Sequence, residues 1–263
     1  MAPKCKSTLS WNPFHSEVSS SSEPTPSHVW FHDDKAKLDF FENFSRQGIH
    51  SERQVILSDF SDTGLPTIIY SREWESLCNI PITCPSMLIQ EFYSNIHRFD
   101  YLVSLFVTRI RGSRIVVTWN IISDVLRVPK VEHPDYFGYD RLKTVSKEEL
   151  ISSFCERTFD WGDRHFTPYS AFAKGLRFMN MVMTFVLHPL SHYNSITEPR
   201  ARFLLYLLKH LTVDFPSYFI LSIIDVFRDT TTHEKLIFPS AITCSFSLFW
   251  PLPCYGCHRH RYR

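Results

Sequence analysis

The chain has 263 residues, 44% of them hydrophobic, with 23 phenylalanines and a formal net charge of +1. That length fits one large domain or two small ones, and the apolar content suffices for a substantial core. The balanced charge selects neither nucleic acid nor membrane, and seven glycines without a GxGxxG or P-loop run exclude phosphate-cradling Rossmann and P-loop designs.

Residues 1–28 are rich in Ser and Pro and are expected to form a disordered leader, because such a composition buries too little surface to offset ordering entropy. A helix is predicted over residues 33–45, with Leu38, Phe41 and Phe44 inward and Gly48 ending it. Residues 55–70 read as mixed loop and strand, and 71–77 as a short helix carrying Trp74.

The stretch 86–131 is the most patterned. Leu88, Ile89, Phe92, Tyr93 and Ile96 form a one-sided helical stripe behind Pro85, leaving Gln90, Glu91, Ser94 and Asn95 to the wet side. Residues 102–110 and 115–118 are β-branched and aromatic, separated by Arg111-Gly112-Ser113, a turn in which Gly112 can supply a positive φ. Thr118 is the expected N-cap of a helix striped by Ile121, Ile122, Val125 and Leu126 and stopped at Val128-Pro129.

Residues 132–145 read as loop, after which Ser146 caps a helix and Glu149 completes a capping box. A central helix is expected over 170–187, stopped by Pro189. Thr197-Glu198-Pro199 opens a helix with Phe203, Leu204, Leu207, Leu208 and Leu211 on one face. A second stripe, Phe219, Ile220, Ile223, Ile224 and Phe227, predicts an antiparallel partner. The apolar faces at 88–126 and 203–227 are expected to bury one another. The class is therefore mainly α, with one small antiparallel β-hairpin over about residues 102–118. Residues 29–243 form the helical domain, and 244–263 an atypical basic tail, truncated or disordered.

The order of these signals resembles the plant transposon protein domain, a module of plant retrotransposon-derived open reading frames. The resemblance is carried by Glu91-Phe92-Tyr93, then Arg111-Gly112, then a helix ending Leu126-Arg127-Val128-Pro129. Phe40-Phe41, Glu52-Arg53 and Trp74 lie upstream in matching order, and residues 197–211 and 236–243 resemble the closing helix and Leu-Pro-like segment. It covers roughly residues 29–243, and the order is more distantly similar to the plant mobile domain. The resemblance implies a plant mobile-element origin and no active site to carry over.

Chemical motifs add little. Asp62-Thr63-Gly64 matches the aspartic protease triplet but lacks a glycine-rich flap, and its residue types favour a turn. His188 and His192 have helical ligand spacing, but Pro189 lies between them. Asp160, Asp163 and His165 read as a solvated loop. Cys254, Cys257, His258 and His260 lie too close in sequence to close a tetrahedron around one zinc, and haem attachment at Cys254-Tyr255-Gly256-Cys257-His258 would need an export route. No reverse transcriptase or integrase signature occurs. A non-enzymatic protein with no cofactor and no metal is therefore expected, a protein-association module binding a partner or itself.

The alternative is a nucleic-acid-binding module using Arg109, Arg111 and Arg114 around the hairpin turn, with weak, salt-sensitive binding. No run reaches the roughly 20 apolar residues of a membrane helix. Without a secretion-type apolar run, the seven scattered cysteines are expected to be reduced and mostly buried, in an intracellular protein of nucleus or cytoplasm.

Overall fold

Apolar side chains at helical spacing decide most of the architecture. A computed structural model describes residues 30–80, 85–135, 146–155, 166–168, 172–188, 195–228 and 235–247. Within them the chain runs α1 (Asp34–Glu42), β1 (Gly48–Ile49), α2 (Leu65–Tyr70), α3 (Ser86–Ser94), β2 (His97–Asp100), β3 (Leu105–Ile110), β4 (Ser113–Thr118) and α4 (Trp119–Leu126). It continues through α5 (Lys147–Phe154), β5 (Phe166–Pro168), α6 (Lys174–Val182), β6 (Ser195–Thr197), α7 (Glu198–Leu208), α8 (Phe215–Arg228), β7 (Lys235–Leu236) and α9 (Pro239–Ser247).

The fold is mainly α. The expected lone hairpin over about residues 102–118 is instead part of a three-stranded antiparallel sheet ordered β2-β3-β4. Its β3–β4 hairpin begins at Leu105 rather than Leu102. The cause is Asp100, whose Oδ1 accepts the Leu102 N–H at 2.8 Å and folds the chain into a turn before β3 can start. Two short pairs, β1–β7 parallel and β5–β6 antiparallel, join segments far apart in sequence.

On α3 the predicted stripe is buried throughout, but so are Glu91, Ser94 and Asn95, which the periodicity assigned to solvent. A second layer covers that side. Asn95 Nδ2 donates to the Trp30 carbonyl at 3.1 Å, and the His32 N–H donates to Asn95 Oδ1 at 2.7 Å. The hairpin turn lies over Glu91.

Helix α4 begins and ends as its sequence dictates. Thr118 Oγ1 accepts the Ile121 N–H, and Arg127 adopts a left-handed φ of 52° while the Val128 N–H closes on the Ser123 carbonyl.

Other elements depart from expectation for identifiable reasons. Asp33 caps α1 by accepting the Ala36 N–H at 2.8 Å. The inward face is Ala36, Phe40 and Phe44, whereas Leu38 and Phe41 are exposed, because Phe40 packs on Phe31 at 5.3 Å. Residues 55–70 hold no strand. Leu57–Phe60 is a 3-10 turn, and α2 follows with Pro66 in its first turn, where the lost donor is not needed. Trp74, expected within a helix, precedes the 3-10 segment Glu75–Asn79 and packs on Phe215. Ser146 caps α5, but the Glu149 carboxylate meets Lys209 Nζ at 2.6 Å. Helix α6 starts at Lys174 and widens into a π turn over Met183–Leu187. Residues 244–247, expected to open the atypical tail, are the last turn of α9. The expectations for residues 1–28 and 248–263 fall outside the described residues.

While Phe31, Ala36 and Phe40 form a separate small cluster under α1, one core joins most of these elements. The faces at 88–126 and 203–227 meet in it: Phe92, Ile115, Val117, Ile122, Phe219 and Ile242 line one small apolar void between α3, β4, α4, α8 and α9. Phe203 of α7 stacks on Tyr218 of α8 at 4.4 Å, and Phe219 meets Phe238 at 4.5 Å. Each such buried ring contributes about 2–3 kcal/mol.

Helix α9 is seated by a buried acid. Glu52 accepts the N–H groups of Ser240 at 2.9 Å and Ala241 at 3.0 Å, two donors of the first turn that the helix cannot satisfy itself. Tyr93 adds a hydroxyl to the Ile237 carbonyl at 3.1 Å. We expect Glu52→Ala to lower the urea unfolding midpoint by the equivalent of about 1–3 kcal/mol with an unchanged slope. Glu52→Gln, which keeps one acceptor, should lose less; tryptophan fluorescence during denaturation reads both.

Candidate functional site

The hairpin turn comes first, since its arginines are the residues that charge and position mark for nucleic-acid contact. Ile110 pairs with Ser113, so the connection is Arg111-Gly112, with φ of 48° and 82°. Two positive φ values in succession match the twist of the flanking strands, and Gly112 adopts its own without a Cβ clash. Arg111 is held there by Glu91, 1% exposed, whose Oε1 accepts the Arg111 N–H at 2.5 Å. Its Oε2 lies 3.4 Å from Arg111 Nε. The guanidinium then lies over the Trp30 ring, 3.8 Å from its centroid. Arg111 is thus consumed internally, tying α3, the turn and the segment before α1 together.

The other two arginines face outward. Phe106↔Val117 and Thr108↔Ile115 alternate with Leu105↔Thr118, Val107↔Val116 and Arg109↔Arg114. By the two-residue strand period, the first set faces the core. Arg109 and Arg114 therefore lie directly opposite each other on the outer face, Arg114 exposed and Arg109 half-buried. Neither forms an ion pair with an acidic side chain among the described residues.

Among the described residues, the most exposed large apolar side chain, Leu102, lies in the β2–β3 connection, a region that β-propensity marks as strand. Leu102 is 85% exposed and Val103 52%, flanked by the exposed rings of Phe99 and Tyr101. This tip is anchored rather than loose. Asp100 fixes its backbone, Phe99 packs edge-on against Phe227 of α8, and Arg228 donates to the Tyr101 hydroxyl at 2.8 Å.

Beside the tip lies a cleft of about 200 Å³, bounded by residues 101–104, Trp119, residues 130–132, Asp214 and Ser217. Lys130 Nζ stands 3.6 Å from the Trp119 ring centroid. Asp214 opens α8 with Oδ2 accepting the Ser217 hydroxyl at 2.5 Å, while burial raises its carboxyl above the ordinary aspartate value. No single sequence signal marks this constellation, because its members are spread from residue 101 to residue 217.

The remaining motifs resolve locally. Asp62-Thr63-Gly64 is the turn into α2, with the Thr63 hydroxyl donating to the Phe60 carbonyl at 2.7 Å and accepting the Leu65 N–H. His188 is buried and shares a hydrogen bond with the Tyr218 hydroxyl at 2.7 Å. Asp160, Asp163, His165, His192 and the Cys254–His260 group lie outside the described residues. Among those described, no three His, Cys, Asp or Glu side chains are placed to hold a metal, and no helix is long and apolar enough to cross a membrane. Cys78 and Cys155 carry free thiols, and burial pushes the Cys78 thiol up to about 11.

A family profile described as "Putative plant retrotransposon-related domain" matches residues 70–247. That span holds the Glu91-Phe92-Tyr93, Arg111-Gly112 and Leu126–Pro129 motifs, the tip and the cleft. No curated protein and no solved structure matches the chain.

The Glu91 seat makes stability depend on pH. Burial pushes its carboxyl from 4.5 up to about 7, outweighing the lowering pull of the Arg111 N–H and guanidinium. The folded state therefore holds a proton that the unfolded state releases between those values. The associated stability is fully present below pH 4.5 and is lost as pH rises through 7. Burial raises the Glu52 carboxyl as well, so its contribution has the same sign. Wild type should lose on the order of 3 kcal/mol more than Glu91→Gln across that window, measured by urea denaturation at stepped pH; parallel profiles would reject the assignment.

Proposed function

This chain belongs to the plant retrotransposon-related domain family, and from that premise we propose that it is a non-enzymatic protein-association module. It docks a protein partner, a second copy of itself included, through the β2–β3 tip. The observation that carries this reading is the pair Leu102 and Val103, 85% and 52% exposed at the apex of an anchored turn. An isolated exposed leucine needs no explanation, but contiguous apolar surface on a fixed support is characteristic of an interaction site. The ring contact to Phe227 and the Arg228–Tyr101 hydrogen bond support it further, because they hold the apolar residues out from the core. Replacing Leu102 and Val103 together by Asp should abolish assembly, read by sedimentation and crosslinking, while leaving the far-ultraviolet circular dichroism unchanged. A wild-type chain that stays monomeric and captures no partner would sink the reading.

A second reading keeps one specific support. Arg109 and Arg114, opposed on the outer face without an acidic partner among the described residues, form a small cationic patch that can contact phosphate. On that reading nucleic-acid binding weakens steeply with salt. Arg109→Ser with Arg114→Ser removes it, while Arg111→Ser acts on folding instead. Binding that survives the double substitution would reject this patch.

A further inference from the structure

The cleft beside the tip has a chemistry of its own. Asp214 is only 7% exposed, and among the described residues its Oδ1, which has almost no accessible surface, has no hydrogen-bond partner, although Oδ2 accepts from Ser217. A buried carboxylate oxygen without a donor is desolvated without compensation, and a charged donor compensates it best. The Trp119 indole also lines the cleft, and Lys130 shows that its face holds a cation. Lys130 also exerts its charge on Asp214, so the cleft already has an internal occupant of the kind it suits. At about 200 Å³ it is smaller than a drug-sized pocket but has room for one long side chain. Leu102 forms an apolar lip and exposed Glu132 adds negative charge at the rim.

We propose that this cleft receives a lysine or arginine side chain from a partner segment whose neighbouring residues are apolar. The cation displaces the Lys130 ammonium from Trp119 and pairs with the Asp214 carboxylate as that displacement uncovers it. The flanking apolar residues pack on Leu102 and Val103. Arginine suits the site better than lysine, because its planar fork can stack on the indole and donate to the carboxylate at once. The inference rests on the association reading and specifies the chemistry of the partner.

The test is calorimetric titration of the full chain with the capped peptide Ala-Leu-Arg-Leu-Ala, and with the same peptide carrying citrulline or glutamate for arginine. Saturable binding is expected for arginine, about tenfold weaker binding for citrulline, and none for glutamate. Lys130→Ala should tighten binding several-fold by removing the competing ammonium, and Trp119→Leu should weaken it about tenfold. Asp214→Asn should weaken it similarly; because Asp214 also caps α8, the Lys130 and Trp119 variants decide if that protein fails to fold. No saturable binding by wild type, equal binding of the citrulline peptide, or indifference to Lys130→Ala would each overturn the proposal. A chain whose assembly depends on Leu102 and Val103 but which binds no arginine peptide loses this inference and keeps the association reading. A monomeric chain that captures no partner yet binds the peptide loses the association reading and keeps only the cleft's preference for arginine.

Discussion

The buried carboxylate of Glu91 is the constraint on which the sheet and its projecting tip depend. It sits on the side of α3 that periodicity would leave wet, and it is covered because the Arg111-Gly112 turn closes over it. Burying a charge costs several kcal/mol, while a hydrogen bond to a charged group returns about 1.5–3 kcal/mol. The pairing therefore adds little net stability. What it supplies is position: only one placement of the turn satisfies the acid. Glu52 repeats the arrangement at the first turn of α9, again with backbone N–H groups as donors. Two acids thus fix where the hairpin and the last helix sit, and the apolar core fills the space between them.

That arrangement also explains how surface chemistry is distributed. Arg111 is held by Glu91 and Trp30 with its side chain 28% exposed, so the turn presents less free positive charge than its sequence suggests. The free apolar surface lies at the other end of β3, where Asp100 ends β2 and lifts Leu102 and Val103 outward. Contacts with Phe227 and Arg228 make this tip an extension of α8. The Trp119–Asp214 cleft lies against the same extension. Tip and cleft are thus neighbouring parts of one surface, supported by a helix that is largely buried in the core.

Periodicity made the apolar stripes of α3, α4, α7 and α8 legible, because those patterns are local and repeat at 3.6 residues. Caps at Thr118 and Ser146 were readable for the same reason. What escaped depends on partners distant in sequence. The inward face of α1 is chosen by Phe31, and the parallel β1–β7 pair joins residues 48–49 to 235–236. Glu91 looked like a solvated acid because nothing within its own helix reveals a covering turn. Of the three arginines marked by charge, Arg109 and Arg114 do share an exposed face, while Arg111 does not join them. Trp119, Lys130 and Asp214 carried no joint signal, since a cleft formed by three separate segments has no sequence period. The ordered motifs Glu91-Phe92-Tyr93 and Arg111-Gly112 were visible as a pattern, and their meaning is the contact between them.

The most direct measurement of that contact is native-state hydrogen exchange at the Arg111 amide, which donates to Glu91. In wild type it should exchange far more slowly than an exposed turn amide. In Glu91→Ala that protection should vanish together with that of neighbouring β3 and β4 amides, while α8 remains protected. An Arg111 amide that exchanges freely in wild type, or equally slowly in both proteins, would contradict the claim that this buried acid positions the hairpin.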